Sequence, residues 1–282
     1  MLRSKSISKY ELEVRMGLQE LFNLCRNNML HTGDLLLCYQ NGFISYNGHP
    51  CVGPGEEGLN CIPKINSIFS TGISEITDDD DYYIKYGDAF FNGISEFEKG
   101  IHREKSIYLN IWENAFFLRT FTQVINILNG GNYDWFLDIS KLPPSGKSKH
   151  IREQIIKRLN LSPKFEKIIQ TAYVGQIRNA IAHTQYHCVQ GGIWYDNYNS
   201  DKYATLQALS FEQWEQKFLY SYFIFVGIFQ ILKQINNEFY VPVSTKTIGK
   251  GIPINIPNGK QGWSETYLYP NKEGNIWRFN RI

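Results

Sequence analysis

The chain has no Cys-x-x-Cys pair, and its five cysteines (Cys25, Cys38, Cys51, Cys61 and Cys188) are odd in number and irregular in spacing. That pattern argues against a disulfide framework and for reduced thiols, some of them in the core. A zinc site drawn from Cys51, Cys61, His49 and His31 lacks ligand-pair spacing, so no metal is expected. The glycine-rich run Gly53-Pro54-Gly55-Glu56-Glu57-Gly58 has no Gly-Lys-Ser/Thr after it, and its glutamates would repel phosphate. A nucleotide loop, and with it a nucleotide cofactor, is not expected. The first residues, Met1-Leu2-Arg3-Ser4-Lys5, lead into polar sequence, which is not the pattern of a secretory leader. Long apolar runs are scarce as well. The uncharged stretch Phe218 to Leu232 would span ~22 Å as a helix, against ~30 Å of hydrocarbon, and it carries Tyr220, Ser221, Tyr222 and Gln230. A buried core helix and a cytoplasmic protein without membrane contact are the expectation. No internal repeat recurs, and a net charge of +2 points neither toward nucleic acid nor away from it.

What is present is globular: 43% hydrophobic residues against 20% charged ones exclude a disordered chain. Ser8 with Glu11 forms a capping box opening a helix over 8–30, whose inner face would hold Leu12, Met16, Leu21, Phe22 and Cys25. Leu35–Tyr39 and Phe43–Tyr46 flank Asn41-Gly42 and predict a hairpin, with a second Asn-Gly at Asn47-Gly48. Residues 70–94 read as an acidic loop around Asp78-Asp79-Asp80-Asp81, a solvated run. A second capping box, Ser95 with Glu98, opens a long helical pattern to Leu128, with a kink or restart at Gly100 and an end at Asn129-Gly130-Gly131. Pro143-Pro144-Ser145-Gly146 predicts a turn, followed by a helix over 148–160. Ser162-Pro163 restarts the chain, and Phe165, Ile168, Ile169, Ala172, Ile177, Ala180 and Ile181 continue an apolar stripe. A hairpin over 186–195 and a strand at Tyr203–Leu206 come next. Ser210 with Gln213 then caps a long helix carrying Trp214, Phe218, Tyr222, Phe225, Phe229 and Leu232.

The stretch Gln176-Ile177-Arg178-Asn179-Ala180-Ile181-Ala182-His183 stands out. It places an arginine, an amide and a histidine in a run that otherwise reads as buried, which is costly unless those groups are paired or working. On a regular helix Arg178 and His183 diverge by ~140°. Either the helix ends near Ala182 or a second chain completes the site. Between Lys141 and Arg178 the acids are only Glu153 and Glu166. They face Lys141, Lys147, Lys149, Arg152, Lys157, Arg158, Lys164, Lys167 and Arg178, a balance that attracts phosphates or simply solvates helix faces.

Arg178, Asn179 and His183, in an α-helical setting, resemble the Arg-polar-x3-His motif of the HEPN superfamily. The resemblance covers about half of the chain. It implies a mainly α fold: a HEPN-like helical bundle at 95–238 with a β-hairpin insertion. An N-terminal accessory region at 1–94 and a β-containing appendage at 239–282 flank it. It further implies a metal-independent endoribonuclease of a microbial defence or toxin–antitoxin setting, acting on RNA through 2′-hydroxyl attack to leave a 2′,3′-cyclic phosphate. Two motifs would face each other across a homodimer two-fold, and an antitoxin or regulatory partner would fit such a setting. His183 would serve as base or acid, Arg178 would hold the phosphate, and Asn179 would orient either. Glu113 and Arg119 are candidates to support these groups, and Lys164, Lys167 and Tyr186 to contact RNA. Tyr186 packing at the dimer seam is the alternative for that residue. His150 and His187 read as ordinary residues. The competing function is a non-catalytic dimeric module that binds RNA or nucleotide, or acts as a scaffold.

Overall fold

In the computed structural model, helices form where apolar residues recur at three- and four-residue steps, and strands where branched and aromatic residues alternate. It describes residues 2–46, 49–52, 76–77, 96–189, 191–198, 205–245, 251–258, 262–271 and 276–279. The elements run β1 (Leu2–Arg3), α1 (Ser4–Asn28), α2 (Asp34–Leu37), β2 (Asn41–Tyr46), β3 (His49–Val52) and β4 (Ile76–Thr77). Then come α3 (Glu96–Glu113), α4 (Ala115–Leu128), α5 (Pro144–His150), α6 (Pro163–Ala172) and α7 (Gly175–Ala182). The rest is β5 (Tyr186–Val189), β6 (Gly192–Tyr195), β7 (Ala208–Ser210), α8 (Phe211–Thr245), β8 (Ile252–Asn258), β9 (Gly262–Asn271) and β10 (Ile276–Phe279). The protein is mainly helical with small antiparallel sheets, as expected.

The chain divides into two compact units, each assembled from separate stretches. The first comprises Met1–Gly17, Ile62–Asn114 and Lys164–Phe225; the second comprises Leu18–Cys61, Ala115–Pro163 and Val226–Ile282. In the first, Tyr108 packs against Trp214 (ring centroids 5.4 Å apart) and Trp112 against Tyr173 (4.9 Å). The indole N–H groups are paired: Trp112 donates to Ser221 Oγ (3.0 Å) and Trp214 to Glu104 Oε2 (2.8 Å). Burying an aromatic of this size contributes about 2–3 kcal/mol, and pairing its N–H removes the penalty for desolvating it. The sheet β5–β6–β7 is antiparallel, with Tyr186 opposite Tyr195 and Gly192 opposite Ser210, while β1 and β4 make a two-residue parallel bridge. In the second unit, Phe116 and Phe117 pack on Phe229, and the sheet β8–β9–β10 is antiparallel. Asn236 Oδ1 there accepts from Gln40 Nε2 (3.2 Å) and Trp277 Nε1 (2.9 Å).

Several expectations are corrected. Helix α1 starts at Ser4, so Ser8 lies inside it and is not its cap. Tyr10, Val14, Leu18, Leu21, Phe22 and Cys25 are buried, whereas Leu12 and Met16, ~200° from Val14 and Leu18, are 46% and 47% exposed. Leu35–Tyr39 forms no strand. Asp34–Leu37 is a buried helical turn, in keeping with leucine's helix preference and the lack of β-branched residues there. The hairpin instead pairs β2 with β3, Tyr46 opposite His49, and the second Asn-Gly lies outside the described residues. Gly100 sits within α3, and the interruption comes at Asn114. Pro144 starts α5 at its first helical position, earlier than expected; a π turn over Ile151–Ile155 follows, and Ile151, Ile155 and Leu159 are buried. The strand after the hairpin is Ala208–Ser210; Thr205 and Leu206 are not in a strand, and Tyr203 and Ala204 lie outside the described residues. Helix α8 runs on past 238 to Thr245. The Ser95 cap, the acidic run at 78–81 and the glycine-rich run at 53–58 lie outside the described residues.

Other expectations agree with the fold. Helix α4 ends in a Schellman motif on Gly130 (φ 71°): Gly131 N donates to Asn126 O (2.9 Å) and Gly130 N to Ile127 O (3.0 Å). The Ser210–Gln213 box is reciprocal, Ser210 N donating to Gln213 Oε1 (3.0 Å) and Gln213 N to Ser210 Oγ (3.2 Å). Among the described residues one helix, Phe211–Phe239, is long and apolar enough to cross a membrane, and 67% of its apolar window is buried within the protein, as in a core helix.

Candidate functional site

The motif helix α7 owes its separateness to Tyr108. This buried tyrosine on α3 donates to Ala172 O (3.1 Å), at the end of α6, and accepts from Val174 N (3.2 Å), before α7. One hydroxyl so satisfies two backbone groups at the junction. Burial pushes its pKa far up, which keeps it a donor. Gln176, in the first turn of α7, binds the segment ahead of β7. Its Oε1 accepts from Thr205 N (3.1 Å) and Leu206 N (3.0 Å), its Nε2 donates to Leu206 O, and Asn197 Nδ2 donates to its carbonyl (3.0 Å).

Arg178 is 4% exposed. Its Nη1 donates to Asn179 Oδ1 (2.7 Å), and its Nη2 forms an ion pair with Glu113, the last residue of α3. Burial lowers the guanidinium pKa, and the nearby Tyr108 works against that shift. The helix ends at Ala182, the first of the two alternatives that the spacing left open. His183 is the C-cap (φ −110°, ψ 10°), and its side chain is exposed, with no hydrogen-bond or ion-pair partner among the described residues. A Schellman motif closes the end, with Gln185 N donating to Ala180 O (2.8 Å) and Thr184 N to Ile181 O (3.3 Å). Thr184 occupies its left-handed position at φ 54°, a strained conformation for a β-branched residue.

The structure therefore brings Arg178, Asn179 and Glu113 into one network and leaves His183 in solvent beyond it. Arg119, half-buried on α4, belongs to the second unit. The basic run is likewise divided: Lys141 to Arg158 lies in the second unit, and Lys164, Lys167 and Arg178 in the first. Lys164 and Lys167 are exposed on α6. Lys157 pairs with Glu153 (2.6 Å), and Lys141 with Asp138 (2.9 Å). His187 pairs with Asp196 on the hairpin surface (3.0 Å), and His150 Nε2 lies 2.8 Å from Thr122 Oγ1. Cys25, Cys38 and Cys188 are buried free thiols, while Cys61 and the side chains of Cys51 and His49 lie outside the described residues.

Tyr186 packs within its own unit. The Lys105 ammonium sits 3.5 Å from its ring centroid, and its hydroxyl lies 3.1 Å from His102 Nδ1. Lys105 is 1% exposed and also reaches Cys188 Sγ (3.7 Å). Sequence reasoning passed over Tyr108, Gln176, Lys105 and His102. A signal existed for Lys105: Ile101, Glu104, Lys105 and Tyr108 fall at helical spacing, so two charges occupy inward positions. Comparison with protein families, curated proteins and solved structures finds no match to this chain.

Proposed function

We propose that the protein is a metal-independent endoribonuclease of HEPN type, working as a homodimer on RNA in a microbial defence or toxin–antitoxin setting. The observation that supports this reading is the exposed imidazole of His183 at a helix end, next to a turn that holds Arg178, Asn179 and Glu113 in one network. RNA supplies its own nucleophile in the 2′-hydroxyl. His183 exchanges protons with that hydroxyl or with the leaving 5′-oxygen. A second His183 across the two-fold takes the complementary role. Arg178 supplies positive charge toward the phosphorane. Glu113 offsets that charge in the free protein, so Arg178 grips phosphate oxygens only by exchanging its carboxylate partner for them. The purified protein should cut single-stranded RNA in the presence of EDTA, leaving 2′,3′-cyclic phosphate ends, and His183→Ala should abolish cutting. Cleavage that survives in the variant, or that requires added Mg²⁺, would sink the proposal.

The burial of Arg178 under Glu113 favours a second reading, a dimeric module that binds RNA or nucleotide, or acts as a scaffold, without cutting. Intact RNA combined with retained dimerisation in wild type and His183→Ala alike supports that reading over the first.

A further inference from the structure

Inside the first unit, α3 lies against β5 through a cluster of chemically reactive side chains. Lys105 is 1% exposed, a costly place for an ammonium. Its Nζ sits 3.5 Å from the Tyr186 ring centroid and donates to Cys188 Sγ at 3.7 Å. One helical turn earlier, His102 meets the same strand through the Tyr186 hydroxyl. Tyr186 and Cys188 alternate onto one face of β5, and the register sets Tyr195 and Ile193 of β6 opposite them on that face. This face turns inward: Cys188, Ile193 and Tyr195 are buried, whereas His187 and Trp194, between them, are exposed. The side chains of Lys105 and Cys188 therefore touch across an element boundary, more than eighty positions apart in the chain.

Two further observations single out this contact. The Tyr195 hydroxyl is buried and has no hydrogen-bond partner among the described residues. Burial first, and then Tyr108, Cys188 and Tyr186, push its pKa well up, so it stays a donor. A donor left unpaired beside a sulfur gains its acceptor when that sulfur takes on oxygen. The described thiols also differ in kind. Cys25 and Cys38 are fully buried and donate to the backbone oxygens of Val124 and Asp34 (3.6 Å each). Cys188 keeps 9% of its surface and faces an ammonium. A thiolate beside a cation is the form of cysteine that attacks peroxide, and a small oxidant reaches the partly exposed sulfur before the two enclosed ones.

We propose that Lys105 and Cys188 form a modification site, at which hydrogen peroxide creates a reversible covalent S–N cross-link between α3 and β5. The Cys188 thiolate attacks one peroxide oxygen. An S–O bond forms, the O–O bond breaks, and the departing hydroxide takes a proton from the Lys105 ammonium and leaves as water. Sulfur gives up an electron pair and the peroxide oxygens take it. The result is a sulfenic acid beside an amine that has just become neutral and nucleophilic. The amine nitrogen then attacks the sulfur: the S–N bond forms, the S–O bond breaks, and hydroxide leaves as water with the surplus proton of the amine. Tyr195 donates to the sulfenic oxygen and eases its departure. A thiol reductant reverses the cross-link by attack of its thiolate on the sulfur, which returns the amine and, after exchange with a second thiol, the free cysteine. Neither residue belongs to the Arg178–His183 motif, so the proposal stands or falls apart from the ribonuclease reading.

Mass spectrometry of the full chain, treated with hydrogen peroxide and digested with trypsin without reductant, tests it. The peptides 104–119 and 179–202 should appear joined, lighter than their sum by one hydrogen from the thiol and one from the amine. Dithiothreitol should separate them. Lys105→Met and Cys188→Ala should each abolish the joined species. Tyr195→Phe removes only an unpaired hydroxyl, so its melting curve should match the wild type while the cross-link forms about fivefold more slowly, the worth of one hydrogen bond. The wild-type digest is decisive even where Lys105→Met fails to fold. Cys188 that remains a free thiol while the methionines oxidise overturns the proposal. So does Cys188 that collects as sulfenic or sulfinic acid, or as a disulfide, with Lys105 unmodified. Joined peptides that retain an oxygen atom overturn the direct S–N bond.

Discussion

Arg178 is held by Glu113 on one side and Asn179 on the other, and its burial makes that pairing obligatory. Glu113→Gln leaves a buried guanidinium without its counter-ion. Urea unfolding at pH 7 should show a loss of about 3 kcal/mol, and the double variant with Arg178→Met should recover part of it. The pairing bears directly on the proposed chemistry: a phosphate has to compete with Glu113 for the same N–H groups. Asp34 gives a second prediction. Burial raises its pKa to about 6, and the hydrogen bond from His31 N opposes that shift. The unfolded value is ~3.9. The folded carboxyl thus holds its proton more tightly than the unfolded one, and its contribution to stability falls as pH rises from ~4 to ~6, by about 3 kcal/mol, then levels. Urea midpoints at pH 4, 5, 6 and 7 should show this slope in the wild type and lose it in Asp34→Asn.

Elements here end in matched ways with different residues. Helices α4 and α7 both close in Schellman motifs, but Gly130 occupies the left-handed position in one and Thr184 in the other. Thr184→Gly should therefore raise stability by about 1 kcal/mol in thermal unfolding. Because Thr184 directly follows His183, a parallel fall in RNA cutting would tie the strain to the site, whereas a stabilised variant of unchanged activity would separate them. At the start of α8, Ser210→Ala removes one half of the reciprocal capping box and should cost about 1 kcal/mol by the same measurement. This box was legible because its geometry is local: two side chains three residues apart find each other's backbone N–H without help from the rest of the chain. The same spacing at Ser8 and Glu11 marks no helix start, since α1 begins upstream at Ser4.

On the scale of the whole molecule, the proposed reaction demands two copies. Sedimentation velocity should show a concentration-dependent dimer, and a protein that remains monomeric throughout the tested range removes the composite cleft. The two units draw on helices α1 and α8 in turn, with the division falling after Gly17 and after Phe225. No stretch of sequence announces those divisions, because both helices keep an apolar face across them.

The sequence by itself determined the predominance of helix, the inward residues of α6 and α8, the hairpin over β5 and β6, the Asn129-Gly130 stop and the Pro163 restart. These follow from periodicity, capping and turn chemistry, which act over a few residues. It also marked Arg178, Asn179 and His183 as groups that needed partners. Only the tertiary structure decided which of them are paired: Arg178 and Asn179 are, and His183 faces solvent. Glu113 reaches Arg178 because α3 ends beside α7, and Tyr108 breaks the α6–α7 run because its hydroxyl satisfies both sides of the junction. The tertiary fold also chose which of two apolar ridges on α1 turns inward, and made Leu35–Leu37 a buried helical turn rather than a strand. Each of those outcomes depends on contacts between residues far apart in the chain, where local preference is a weak guide and packing prevails.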